Sequence, residues 1–105
     1  MFATTQDTMP NYEIDTVVGI AKGNTVRTRH FGKDIMAGMR SLVGGEIYEW
    51  TKMLAEARDQ AYDRMIEDAK TMGADGVVCF RIQTSTIASN SSEILCYGTA
   101  VTFKK

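Results

Sequence analysis

The chain has 105 residues, 44% hydrophobic and 24% charged, with a net charge of −1. That length fits one domain spanning residues 1–105, and the composition is globular rather than disordered. There is no basic excess to neutralise nucleic-acid phosphates, and no apolar run approaches the ~18 residues of a membrane span.

Met1 to Asn11 is polar and lacks the basic and apolar regions of a secretion signal. A cytoplasmic location is therefore expected, with both cysteines reduced. Within this segment Phe2-Ala3-Thr4-Thr5 is β-prone, and Gln6 to Asn11 reads as a turn. So short a strand stabilises little alone and is expected to pair with an exposed edge. Tyr12 to Ala21 is the first full strand, with Tyr12, Ile14, Thr16, Val18 and Ile20 alternating with Glu13, Asp15, Val17, Gly19 and Ala21. Gly23-Asn24 then leads into a β-prone run from Thr25 to Arg29. Two structures satisfy this pattern: a two-residue hairpin, or one long strand bent at Gly23. Asp34 to Val43 predicts a short helix carrying Ile35, Met36, Met39, Leu42 and Val43, with Asp34 as its N-cap.

Gly44-Gly45 breaks the chain, and Glu46 to Met72 reads as one long amphipathic helix. A helical wheel gathers Ile47, Trp50, Leu54, Ala57, Ala61, Met65, Ala69 and Met72 on one side, and Tyr48, Ala55, Tyr62 and Ile66 widen it. A helix lying on one sheet needs a stripe of only about 100°. The spare arc, including Trp50, Tyr62 and Ile66, is therefore expected to contact another subunit. Two charges lie near or within the whole apolar arc, Arg58 near its centre and Asp68 near its Trp50 edge. They lie about 15 Å apart along the axis and cannot pair with each other. Each has to reach water, a strand or a second subunit. For Arg58 the choices are a snorkelling stem or an intersubunit carboxylate or anion.

Gly73-Ala74-Asp75-Gly76 stops the helix, and Gly76 to Thr84 forms a strand. Ser85 to Ser92 reads as a polar turn region and Glu93 to Phe103 as the last strand. Pairing these strands as a hairpin with Phe80 opposite Leu95 and Val78 opposite Tyr97 puts their large apolar residues on one face, expected to cover the helix. The same register sets Cys79 opposite Cys96. The small residues Cys96, Gly98 and Ala100 on the other face imply close packing against something.

Several stretches taken together resemble the YbjQ-like family, a group of small uncharacterised prokaryotic proteins often labelled heavy-metal-binding. They are Gly19, Gly23-Asn24-Thr25-Val26-Arg27, Asp34-Ile35-Met36-Ala37-Gly38, Val43-Gly44-Gly45-Glu46, Ala55-Glu56-Ala57-Arg58, Gly73-Ala74-Asp75-Gly76-Val77-Val78 and Tyr97-Gly98-Thr99-Ala100-Val101. The resemblance covers essentially the whole chain through the order and spacing of these stretches. It implies an α+β fold: a dodecin-like β-α-β-β subunit, its antiparallel sheet packed on one long helix, assembled into a ring-shaped homopentamer. It further implies three main strands in the order 1-3-2 and favours one long strand through Gly23-Asn24.

Motifs for chemistry are sparse. Zinc-type sites show Cys and His at short spacings, whereas this chain has one histidine, His30, and two cysteines seventeen positions apart. Cys79 and Cys96 as cross-strand neighbours can hold a soft transition metal; as small buried residues they simply pack. Nothing local orients a base for His30, and Glu56, Asp59, Asp63 and Glu67 form a solvated stripe. The expected function is a homo-oligomeric binding or scaffold protein with heavy-metal sites at subunit interfaces. The alternative is an enzyme with an interface active site built from Arg58 and carboxylates.

Overall fold

The computed structural model describes residues 1–28 and 45–105. The expected helix Asp34–Val43 and His30 lie outside the described residues. Four strands and one helix make up the rest: β1 (Phe2–Ala3), β2 (Ile14–Thr28), α1 (Gly45–Thr71), β3 (Gly76–Ala88) and β4 (Ser91–Phe103). The strands form one mixed sheet in the order β1-β3-β4-β2. β1 joins β3 in parallel, and the other pairings are antiparallel. The last strand is therefore central between β2 and β3, the order that the resemblance implies.

β2 passes through Gly23-Asn24 as one strand, with Gly23 paired to Cys96 and Asn24 to Leu95. Its irregularities fall between Ile14 and Gly19 rather than at Gly23. Gly23 serves close packing instead of a turn. A Cβ there would collide with the helix backbone at Ala61, Arg64 and Met65.

Those neighbours belong to the buried ridge of α1. Ala57, Ala61, Met65 and Ala69 recur every four residues and are fully buried, as a helix with one face on a sheet requires. Ala21, Val77, Ile94, Cys96 and Ala100 cover them from the sheet. Small side chains on both sides let the two layers approach closely. The helix ends where Gly73 takes φ +78°, its amide donating to Lys70 O at 3.0 Å and that of Ala74 to Ala69 O at 3.1 Å. This paired closure satisfies carbonyls that the helix end would otherwise leave bare.

The hairpin differs from expectation in register and in face. Val77 pairs with Ala100, Val78 with Thr99 and Arg81 with Tyr97, with a bulge between Val78 and Arg81. Phe80 is thus not opposite Leu95, nor Val78 opposite Tyr97. The face with Ile94, Cys96 and Ala100 meets the helix, so the close packing expected there is packing of α1 itself. Phe80 also packs against this core, because the extra residue in the bulge reverses the alternation. The turn contracts to Ser89-Asn90. Thr84, Ser85, Thr86 and Ile87 continue β3, where mostly β-branched residues sit well in a strand.

Candidate functional site

The residues singled out by sequence fall at two places, the edge of β2 beside α1 and the bulge of β3. At the edge, Asp68 reaches a strand: its Oδ2 accepts the Lys22 amide at 3.0 Å. One helical turn earlier, Arg64 Nη1 donates to Asn24 O at 2.7 Å. Arg27 Nη2 donates to Gln60 Oε1 at 2.8 Å. Buried Thr25, between them, donates its hydroxyl to Ala57 O at 3.0 Å. Lys22 and Asn24 turn main-chain groups away from β4, so helix side chains satisfy part of an otherwise open strand edge. Sequence reasoning found Asp68 by its place near the apolar arc. It missed Gln60, on the polar side, and Arg64, at the border of the apolar arc, both of which look like ordinary solvated residues.

Arg58 is exposed, and among the described residues no side chain pairs with its guanidinium. Its carbonyl is the part engaged, lying 4.0 Å from the Cys96 thiol that donates to it. Tyr62 packs edge-to-face on Phe80, with ring centroids 5.5 Å apart and planes at 86°. Tyr62 therefore already has a partner within the subunit. Trp50 is half-buried.

The two cysteines, both free, are separated by the bulge. Cys96 pairs with Ile82 and is fully buried beneath the helix. Cys79 lies in the bulge with φ +56°, a left-handed conformation that costs a non-glycine residue of order 1–3 kcal/mol. The N-terminal segment holds it there: the Cys79 amide donates to Gln6 O at 2.8 Å and that of Phe80 to Thr4 O at 2.9 Å. The expected cross-strand pair Cys79–Cys96 does not form: the ladder already stands two positions from the expected register at Val78–Thr99, and the bulge adds a third by Ile82–Cys96. Burial also pushes the Cys96 thiol above its ordinary pKa, against the thiolate that a metal requires. Among the described residues no three Cys, His, Asp or Glu side chains come together. The described donors of one subunit thus do not form a metal site.

A family model described as "Putative heavy-metal-binding", YbjQ, matches residues 1–104. The chain belongs to the YbjQ family. A relative from Methanococcus vannielii named UPF0145 protein is 50% identical over the full length of both chains. Another UPF0145 protein, from Vibrio parahaemolyticus, is 52% identical over 101 residues, covering 96% of each. A crystal structure of a DUF74-family protein of unknown function from Pediococcus pentosaceus superimposes with a TM-score of 0.72, covering 99% of this chain and 98% of that one. At 17% identity this likeness speaks to the fold alone. Among the described residues of this YbjQ-family chain, no helix is long and apolar enough to cross a membrane.

Proposed function

We propose that this YbjQ-family chain is one subunit of a ring-shaped homo-oligomer that serves as a binding or scaffold protein, with its ligand sites between subunits. The observation that carries this reading is apolar surface left bare by the fold. Ile20 is 68% exposed, Val17 62% and Ile87 56%, and Val26 and Ile82 are also exposed. Ile20 and Val26 lie on strand positions opposite to those covered by α1, and Ile82 and Ile87 lie on β3, which α1 hardly touches. Where such residues join into one patch, the surface is that of an interaction site rather than a solvated face. The subunit is also elongated, 59 × 21 × 16 Å with a radius of gyration of 17.6 Å. A self-sufficient domain of this length has about 13 Å. The family resemblance supplies the ring and the number five, and the dodecin-like description of the subunit goes with them. A cytoplasmic setting suits two free cysteines.

Soft metals are the ligand class to test first, because of the family description. Since the described residues of one subunit do not bring three donors together, a metal site in this reading is completed by a second copy. Light scattering at micromolar concentration is expected to give one discrete oligomer, and a clean monomer overturns the reading. Copper, zinc and nickel titrated into reduced protein test the ligand. If Cys79→Ser/Cys96→Ser binds as wild type does, the thiols are not the donors.

A further inference from the structure

A groove of about 420 Å³ opens between β1 and the end of β4, which flank the start of β3. We propose that it is a binding site for a small aromatic anion, a flat ring carrying one carboxylate. The site is built within a single subunit and does not depend on the assembly proposed above.

Its walls are aromatic. Tyr12 and Phe103 pack with ring centroids 4.8 Å apart at 33°, and Phe2 lines the groove beside them. Phe2 remains 67% exposed and Tyr12 51%, so folding leaves ring surface available for stacking. Offset or edge contacts between rings add stabilisation beyond burial. The volume lies in the range of small-molecule pockets.

Charge selects the sign of the ligand. Lys104 and Lys105 stand on the lining with one acid, Asp75. Asp75 is already committed: its Oδ2 accepts the Phe103 amide at 2.9 Å. Lys104 Nζ lies 3.4 Å from Glu13 Oε1, between side chains 55% and 75% exposed. Such a pair is worth little and exchanges readily for a ligand carboxylate. The backbone behind the lysines is fixed, with the Lys104 amide donating to Glu13 O and that of Asp75 to Val101 O, each at 2.8 Å.

The test compares 2-naphthoate with its neutral isostere 2-naphthamide by amide chemical-shift titration. Naphthoate is expected to saturate one site per subunit and shift the amides of Phe2, Tyr12, Phe103 and Lys104. Naphthamide should bind about ten-fold more weakly. Lys104→Gln/Lys105→Gln, both on exposed side chains, should reduce naphthoate to the naphthamide level. Phe2→Ala should weaken both probes. Equal binding of the two probes overturns the proposal, as do shifts centred on Ile20 and Val26, or no saturation up to the solubility limit because another copy covers the groove.

Discussion

The Asp68 carboxylate accepts the Lys22 amide at 3.0 Å across 46 positions of sequence. This bond ties the last third of α1 to the free edge of β2, and Arg64 on Asn24 O continues the tie. A bond to a charged acceptor contributes about 1.5–3 kcal/mol when shielded, and less at an exposed edge. Asp68→Ala is expected to destabilise by about 1 kcal/mol and to speed exchange of the Lys22 amide, with Asp68→Asn retaining most of the protection. Unchanged exchange in Asp68→Ala would show that the bond does not protect the edge. Asp68→Ala/Arg64→Ala should also increase higher-order association by unblocking the strand.

Gly23 decides how closely helix and sheet approach. Because a Cβ there meets helix backbone rather than a movable side chain, Gly23→Ala should cost about 2–3 kcal/mol, the upper range for overpacking. Ordinary substitution of an open strand glycine would be neutral or mildly stabilising. Denaturant unfolding distinguishes the two outcomes.

Cys96 couples stability to alkaline pH. Its folded pKa is raised by burial, so the folded state holds the thiol proton to higher pH than the unfolded chain does. Stability is fully present below the unfolded thiol pKa of about 8.5 and declines as pH rises from there through the folded pKa. Cys96→Ala should flatten that decline. Native protein treated with iodoacetamide should be modified at half-buried Cys79 well before Cys96, and equal rates at the two thiols would contradict the burial.

The bare apolar residues carry the assembly reading. Ile20→Lys/Val26→Lys substitutes two exposed side chains and should leave monomer folding within about 0.5 kcal/mol of wild type per site. If these residues form the subunit contact, light scattering will show smaller species. An unaltered oligomer would move the interface elsewhere, with Ile82 and Ile87 the next positions to substitute.

Much of this architecture was legible in particular residues. The four-residue recurrence of Ala57, Ala61, Met65 and Ala69 announced the buried ridge, and Gly73 announced the helix stop. Asp68 stood out because a carboxylate near an apolar arc needs a partner. Arg64 did not, because a long cation at the border of the arc reaches water and needs nothing until a strand edge lies within its reach. The aromatic groove was invisible for a similar reason: Tyr12 and Phe103 are 91 positions apart and meet only when β2 pairs with β4.

From sequence alone came the elements and their order of apolarity, since periodicities of 3.6 and 2 are properties of neighbouring residues. The tertiary structure alone decided the hairpin register, its buried face and the fate of the two thiols. Alternation specifies two faces without saying which one is covered, and a single inserted residue exchanges them. That residue lies in the bulge at Cys79, opposite Gly98 and held by Thr4 and Gln6 from the far end of the chain. Nothing in the local pattern of β3 encodes that contact or the two-position offset already present at Val78–Thr99, so the pairing of Cys79 with Cys96 was open to sequence reasoning and closed only by the fold.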